Sequence, residues 1–319
     1  MTADAFAHLD PELAAFLSAC PGMFPLGMTR EELAAKQGLG QLSAADVLGD
    51  ADVTCIDHEI VGHGGASIVV SIIAPRGHAG TGPGIYHVHG GGMVMANRFA
   101  GADVLARWAL EYGAVCVTVE YRLAPAHEAP TLVEDCYAGL VWMRENAASL
   151  GVDPDRIVIF GGSAGGGLAA GTALLARDRG GPKLLGQILQ CPMIDDRSDS
   201  ASARQFEGTG VWDRQCNVTA WQAVLGERYG TDAVDPYSAP ARMADLSGLP
   251  PTFIDVGSAE TFRDEAIDYA QRLMTAGNAC ELHVWPGAFH GFYTIAPHTT
   301  VSRACVAARD AWLARLLGS

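Results

Sequence analysis

The sequence has few basic residues for its length. Its 319 residues include 21 lysines and arginines against 36 aspartates and glutamates, which gives a formal net charge of −15. A chain with this excess of negative charge is repelled by phosphate backbones and by anionic lipid surfaces. We therefore expect neither a nucleic acid nor a membrane surface as its partner.

Long hydrophobic runs are also missing. No uninterrupted apolar stretch approaches the ~18 to 20 residues that a membrane-spanning helix requires. The first dozen residues, MTADAFAHLDPE, lack both the basic and the apolar segment of a signal peptide. We expect a chain without a membrane span that stays in the cytoplasm.

The cysteines form no CxxC pair and no dense cluster. This distribution argues against a disulfide framework and is typical of buried, reduced thiols. His87 and His89 make an HxH pair, but without a third ligand cluster this is weak support for zinc, and we expect no metal. The eight cysteines are at positions 20, 55, 116, 136, 191, 216, 280 and 305.

Short β-branched runs alternate with helical stretches along most of the chain, and a hydrophobic content of 49% is enough for a sizeable core. The pattern predicts an α/β fold with a mostly parallel eight-stranded sheet and helices on both faces. A glycine-rich VGHGGA connection makes the first two strands a hairpin. The predicted strands are 53–60, 66–74, 83–88, 114–119, 156–160, 185–190, 252–257 and 280–285, and the predicted helices are 99–112, 131–148, 164–179, 261–276 and 299–317.

Two segments interrupt this alternation. Residues 1–50 contain short amphipathic pieces, and residues 193–245 contain a helical stretch around 215–229 and large aromatic side chains, which include Phe206, Trp212, Trp221 and Tyr229. Insertions next to a rigid sheet often form lids or pocket walls, although packing alone also explains them. We assign residues 51–192 and 246–319 to one α/β domain and treat 1–50 and 193–245 as cap segments.

The strongest chemical signal is IVIFGGSAGGG, in which a buried strand runs through a GxSxG pattern into a helix. The small residues Gly161 and Gly165 allow the tight strand-to-helix turn that exposes a nucleophilic serine, here Ser163. The hydroxyl would lie at a helix N-terminus, where unpaired amides favour developing negative charge.

The same stretch also contains a GxGxxA spacing, Gly165 to Ala170, which is typical of dinucleotide-binding turns. The strand ends about four residues too early for these glycines to form the first turn, and no acid stands at a strand end ~20 residues later. We therefore expect no nicotinamide cofactor, and no other cofactor is required.

The motif His89-Gly90-Gly91-Gly92 directly follows a predicted strand. Consecutive glycines can turn their amides toward one point and bind an oxyanion when the loop lies beside a nucleophile. We assign the amides of Gly91 and Gly92 as donors, with the amide of Ala164, the residue after the serine, as the third. The alternative is a flexible glycine turn.

A nucleophilic serine needs a base, and His290 is the best placed of the ten histidines. It stands in WPGAFHGF, after the last strand and before the last helix, so its loop reaches the sheet edge where Ser163 lies. The base in turn needs a carboxylate to fix its tautomer. The stretch after the seventh strand offers Asp255, Glu260, Asp264 and Glu265. Glu260 is our candidate because it sits in the turn after the strand, whereas Asp255 lies within the strand and Asp264 fits a helix cap.

With these residues in the order serine, acid, histidine, the chain resembles the hormone-sensitive-lipase-like, HGGG-containing carboxylesterases, bacterial family IV of the α/β-hydrolases. The resemblance covers roughly residues 50–317. It implies an eight-stranded sheet, a helical cap built from residues 1–50 and 193–245, and hydrolysis of esters of short to medium acids. It also makes a homodimer possible. The matching blocks are HGGG at 89–92, YRLAP at 121–125, EDCYAGLVWM at 134–143, DPDRIVIFGGSAGGGLAA at 153–170, ETFRDEA at 260–266 and FHGF at 289–292.

The departures from the family pattern concern the surroundings of these motifs. Many relatives have Asp where this chain has Gly162, Asp where it has Glu260, and Glu where it has Ala126. The aromatic residue that commonly follows HGGG is Met93, which softens one wall of the pocket. We expect the substrate pocket to be lined by Met93, Phe24, Phe206 and Trp212.

Two other functions are known or expected for proteins with this scaffold. Amide or formamide cleavage needs the same groups and differs only in leaving-group protonation and pocket shape. A ligand-binding protein on a hydrolase scaffold, as in plant hormone receptors of this family, lacks a working histidine. The presence of His290 favours an enzyme.

Overall fold

The structure is a computed structural model that describes residues 8–20, 26–36, 38 and 40–318. Its centre is one sheet of eight strands in the order β1-β2-β4-β3-β5-β6-β7-β8. Strand β2 is antiparallel to both of its neighbours, and the strands from β4 to β8 are parallel to one another. All eight predicted strands and the initial hairpin are confirmed. The strands are β1 (Val53–Val61), β2 (Ser67–Pro75), β3 (Gly82–Val88), β4 (Val115–Glu120), β5 (Val152–Gly162), β6 (Gly186–Gln190), β7 (Thr252–Gly257) and β8 (Cys280–Trp285).

The central strands are buried on both faces because helices cover both sides of the sheet. In β4 the alternating residues Val115 and Val117 belong to one core and Cys116 to the other. Every residue of β3 is buried, which explains why its sequence, GPGIYHV, does not alternate between apolar and charged residues. The edge strand β8 is only partly buried along its length.

Helices α5, α7 and α10 pack on one face of the sheet, and α4 and α12 pack on the other. The five helices predicted from the sequence are confirmed, and the first begins four residues later than predicted because residues 99–102 form turns. No helix in the described part of the chain is long and apolar enough to cross a membrane. The helices are α1 (Pro11–Ala19), α2 (Arg30–Lys36), α3 (Ala44–Leu48), α4 (Asp103–Tyr112), α5 (Thr131–Glu145), α6 (Ala147–Leu150), α7 (Ala164–Asp178), α8 (Ala201–Gln205), α9 (Arg214–Leu225), α10 (Arg263–Thr275), α11 (Phe292–Ile295) and α12 (Thr300–Leu317).

Small residues allow α7 to lie very close to the rest of the domain. Residues 164–176 are all buried. A Cβ at Gly167 would collide with the carbonyl of Met193, and one at Gly171 would collide with the carbonyl of Tyr237. The glycine-rich start of the helix therefore fixes the position of the turn that precedes it.

The N-terminal segment contacts the segment between β6 and β7. Asp213 caps α9 by accepting from the amide of Cys216, and its carboxylate also accepts from the amide of Gly27. Thr219 of α9 donates to the carbonyl of Met28 at 2.7 Å. The predicted helix around 215–229 is confirmed as α9 followed by a short 3₁₀ turn at Gly226–Arg228.

A buried ion pair ties the loop after β4 to α5 and to the β1–β2 hairpin. Arg122 donates twice to Asp135, at 2.8 Å on each carboxylate oxygen, and Asp135 is fully buried. The same carboxylate accepts from the amide of His63 in the hairpin. Three separate parts of the chain therefore depend on one acidic side chain.

We expect Asp135→Asn to lower the free energy of unfolding by about 3 kcal/mol, because it leaves the guanidinium of Arg122 without its charged partner. Urea unfolding measures this change. The control is Asp52→Asn, in an ion pair with Arg76 whose side chains are 76% and 66% exposed, where less than about 1 kcal/mol should be lost. An equal decrease in the free energy of unfolding in the two variants would contradict the claim that burial makes the Arg122–Asp135 pair more important for stability.

Candidate active site

Four loops that follow parallel strands come together at one edge of the sheet. The glycine-rich loop follows β3, Ser163 follows β5, Glu260 lies in the loop after β7, and His290 lies in the loop after β8. Because these strands run in the same direction, their carboxyl ends lie side by side. Residues that are more than 120 positions apart in the sequence can therefore meet there.

Ser163 occupies a strained turn between β5 and α7. Its backbone has φ 58° and ψ −125°, a conformation that non-glycine residues rarely adopt. A Cβ at Gly161 would collide with the carbonyl of Gly165, and a Cβ at Gly165 would collide with the carbonyl of Val88. The amide of Ser163 donates to the carbonyl of Gln190 in β6 at 2.8 Å. The glycines therefore allow the turn, and the neighbouring strand holds it.

An unbroken chain of hydrogen bonds joins the three predicted side chains. The distance from His290 Nε2 to Ser163 Oγ is 2.9 Å, and the distance from His290 Nδ1 to Glu260 Oε1 is 3.0 Å. The amide of Gly257 donates to the other oxygen of Glu260 at 3.1 Å. A carboxylate at Nδ1 places the imidazole proton there, which leaves Nε2 free to accept the proton of the serine hydroxyl.

Burial keeps this arrangement away from bulk water. Glu260 is 2% exposed and His290 is 8% exposed. The ring of Phe262 packs edge-on against the imidazole of His290, with 5.1 Å between the ring centroids. The imidazole is therefore held by a hydrogen bond at each nitrogen and by an aromatic ring at its side.

The neighbouring acidic residues have other partners. Asp255 is buried in β7 and accepts from Gln190 and Cys305. Asp264 accepts from the amide of Ser202 at the start of α8 and pairs with Arg263. Of the acids weighed from the sequence, Glu260 is the one that contacts His290.

The glycine-rich loop lies against the Ser163 turn, as the collision at Gly165 shows. Gly91 and Gly92 have φ values of 110° and 63°, which favour glycine. Within the described residues, the amides of Gly91, Gly92 and Ala164 donate no hydrogen bond to a protein acceptor. Unpaired amides beside a nucleophile are the donors that an oxyanion requires.

The two histidines of the HxH pair anchor this loop. His89 stacks on Tyr121, whose hydroxyl donates to the carbonyl of His89 at 2.9 Å. His87 shares a hydrogen bond with Thr118. Burial lowers the pKa of His87 to about 3 and that of His89 to about 4, so both rings are neutral at neutral pH.

A cavity of about 650 Å³ opens at Ser163. Most of its wall is apolar, but it also contains buried polar groups, among which Arg309 Nη1 donates to Gln190 Oε1 at 3.0 Å. Residues of α4 and α12 also line the cavity. The apolar lining residues include Met95, Val104, Phe160, Ile295 and Val306.

The structure places three of the four predicted pocket residues elsewhere than along this cavity. Met93 has a φ of 66°, its side chain is buried in the main core, and Met95 lines the cavity instead. Phe206 packs under the guanidinium of Arg263. Trp212 lies against Gly92, where an added Cβ would collide with its ring. Phe24 lies outside the described residues.

Cys191 is a component of the site that the sequence interpretation missed. It follows β6 at the same sheet edge, and its thiol lies 3.6 Å from the hydroxyl of Tyr293. Its sulfur, a carboxylate oxygen of Glu260 and an imidazole nitrogen of His290 all lie within 4.8 Å of one another. The position of Cys191 directly after a parallel strand was the signal that could have revealed it.

The electrostatic surroundings favour the protonated form of His290. Burial by itself lowers the pKa of the imidazole, but the interactions of the ring with Cys191 and with the Glu260 carboxylate raise it, and the net direction is well above the ordinary value. A base with a raised pKa is neutral, and able to accept a proton, only above that pKa. The pH at which His290 can act as a base is therefore shifted upwards.

We expect the imidazole of His290 to titrate above the ordinary histidine pKa of about 6.5, and Glu260→Gln to lower its pKa because the neighbouring negative charge is removed. NMR titration of the imidazole nitrogens measures both values. Glu281→Gln is the matched control, since Glu281 contacts His283 and not His290. A His290 pKa that Glu260→Gln leaves unchanged would contradict this account.

Comparisons with known proteins agree with this geometry. The model of a protein family described as having the alpha/beta hydrolase fold matches residues 85–294. The carboxylesterase NlhH of Mycobacterium tuberculosis is 36% identical over 244 residues, which cover 76% of each chain, and the esterase LipI of the same organism is 32% identical over 91% of this chain and 90% of its own. A solved bacterial heroin esterase has a TM-score of 0.89 at 36% identity and covers 98% of this chain and 99% of its own. The chain belongs to the hormone-sensitive-lipase-like carboxylesterases of the α/β-hydrolase family.

Proposed function

We propose that this carboxylesterase cleaves its substrates by a two-step acyl transfer in which Ser163 is the nucleophile. His290 takes the proton of the Ser163 hydroxyl, and the oxygen attacks the ester carbonyl. Glu260 fixes the tautomer of His290 and stabilises the imidazolium that forms. The observation that carries this proposal is the hydrogen-bond chain from Glu260 through His290 to Ser163.

The proposed oxyanion donors are the amides of Gly91, Gly92 and Ala164. The tetrahedral intermediate collapses when His290 returns the proton to the leaving alcohol, which leaves the acyl group on Ser163. Water then attacks the acyl-enzyme with the same proton transfers in the same order. These steps use only side chains and amides of the chain itself.

Residues 1–50 and 193–245 are proposed to form the cap over this site. The contact of Gly27 and Met28 with α9 joins the two segments. Trp212 brings an aromatic ring of the second segment to Gly92 of the glycine-rich loop. On this ground we propose that Trp212 contacts the substrate beside the glycine-rich loop, outside the cavity at Ser163. A pocket role for Phe24 and Phe206, a cytoplasmic location and a homodimer stay predictions from the sequence.

We expect Ser163→Ala to lower kcat for an aryl ester by more than about 10⁴-fold, because the nucleophile is lost while the other groups stay in place. Steady-state hydrolysis of p-nitrophenyl butyrate measures this loss. Ser149→Ala, which changes an exposed serine of α6, is the matched control and should keep the full rate. Undiminished hydrolysis by Ser163→Ala would overturn the assignment of the nucleophile.

The preferred substrates are proposed to be esters of short to medium acids. This preference rests on the resemblance to the hormone-sensitive-lipase-like carboxylesterases, and the cavity of about 650 Å³ at Ser163 has room for such an acyl group. We expect kcat/KM in a series of p-nitrophenyl esters to be highest for the short acyl chains and to fall as the chain lengthens. Faster turnover of emulsified long-chain lipids than of soluble butyrates would contradict this preference.

Amide hydrolysis is the second candidate function, because the same groups can cleave an amide. A matched pair of an aryl ester and its anilide separates the two, and an esterase should have the higher kcat/KM for the ester. A higher kcat/KM for the anilide would make amide hydrolysis the better assignment.

A further inference from the structure

Cys191 gives the proposed active site a feature that hydrolysis does not use. Acyl transfer needs a serine, an imidazole and a carboxylate, whereas here a thiol adjoins the last two. Cys191, Glu260 and His290 are all buried, and their ligand atoms lie within 4.8 Å of one another. Thiolate, imidazole and carboxylate are the three types of side-chain ligand that bind zinc in proteins.

We propose that Cys191, His290 and Glu260 form a binding site for a soft divalent cation, Zn²⁺ or Cd²⁺, and that occupation of this site inhibits the enzyme. The inhibitory effect rests on the proposed function, in which His290 and Glu260 are catalytic. Binding of the cation does not depend on that function. The site is inhibitory, and no metal takes part in the hydrolytic steps.

The spacing of the ligand atoms suits a metal ion. His290 Nδ1 and Glu260 Oε1 are 3.0 Å apart and share one proton in a hydrogen bond. A tetrahedral zinc with bond lengths of about 2.0 to 2.3 Å to nitrogen, oxygen and sulfur places its ligands roughly 3.3 to 3.5 Å apart, close to this nitrogen–oxygen distance. The Cys191 sulfur lies within 4.8 Å of a Glu260 oxygen and of an imidazole nitrogen of His290 and has to move closer to either to complete the site. A cation can therefore replace that proton when the Cys191 sulfur approaches it, and water can supply the fourth ligand.

The charges also balance. Binding releases the proton of the Cys191 thiol to solvent, so that one thiolate and the Glu260 carboxylate together neutralise a divalent cation. A neutral cluster avoids the cost of an uncompensated charge in a buried site. Without a cation, an ionised Cys191 would add a second negative charge next to Glu260.

Inhibition follows from the position of one proton. A cation on Nδ1 of His290 displaces the proton from that nitrogen, and the neutral imidazole then carries its proton on Nε2. Nε2 is the atom that contacts Ser163 Oγ. A protonated Nε2 cannot accept the serine proton, so the base is disabled although the serine is unchanged.

The first test measures inhibition by CdCl₂ and by ZnCl₂ in a buffer without thiols or chelators. Loss of groups that only support metal ligands costs roughly 10- to 100-fold in affinity, so Cys191→Ser should raise the inhibitory concentration at least about tenfold. Each variant is compared with its own uninhibited rate. Excess EDTA should restore the wild-type rate.

Cys55→Ser is the matched control, because Cys55 is a half-buried thiol in β1, at the opposite end of the sheet from β8. Its inhibition should equal that of the wild type. Equal sensitivity of Cys191→Ser and the wild type would overturn the proposal, and so would protection by Cys55→Ser alone.

The second test measures binding without activity. Calorimetric titration of Ser163→Ala with CdCl₂ should give one tight site that the double variant Ser163→Ala/Cys191→Ala lacks. Circular dichroism checks that both proteins are folded. Binding that is independent of Cys191 would overturn the proposal. If Ser163→Ala retained full esterase activity while the Cys191-dependent site was present, the proposed function would fail and the metal site would stand.

Discussion

The turn at Ser163 is the constraint on which the rest of the site depends. A residue with a side chain holds a φ of 58° only where the surroundings impose it. Here β6 binds the amide of Ser163, and the glycines at 161 and 165 let the backbone pass where any Cβ would collide. The same turn starts α7, whose small residues bring it close against the domain. The strained turn, the buried helix and the hydroxyl presented to His290 are thus one arrangement.

Buried charge is the second theme of the site. The Glu260 carboxylate is withdrawn from water and is stabilised by an amide and by the imidazole of His290. That stabilisation raises the pKa of His290, since a nearby negative charge favours the protonated ring. A thiol placed in the same surroundings makes the site sensitive to soft cations. The groups that make the imidazole a suitable base also make it a ligand.

Much of the fold follows from patterns that the sequence displays directly. The eight strands and five main helices are separated by clear changes of hydrophobic period. Their number and their succession along the chain are therefore predictable. The meeting of Ser163, Glu260 and His290 is also accessible, because each follows a parallel strand and such loops lie on one sheet edge. Glu260 could be preferred over Asp255 because a residue inside a strand cannot reach the loop of the next one.

The sequence does not reveal in which direction the side chains that follow the glycine-rich loop point. Whether Met93 or Met95 faces the cavity depends on the positive φ values at Gly91, Gly92 and Met93, which the residue types permit but do not specify. The sequence predicts a buried, reduced thiol for Cys191 as for the other cysteines, because they lie singly and form no CxxC pair. Its contact with the His290 and Glu260 loops depends on strand order, which places β6 between β5 and β7.

The central claim is that Ser163 forms a covalent bond with the acyl group. Reaction with a serine-reactive aryl phosphonate, followed by intact-protein and peptide mass spectrometry, tests this claim most directly. The account predicts one phosphonyl group per chain, on Ser163, and no labelling of Ser163→Ala. Labelling of a different residue, or none in an enzyme that still hydrolyses esters, would contradict it.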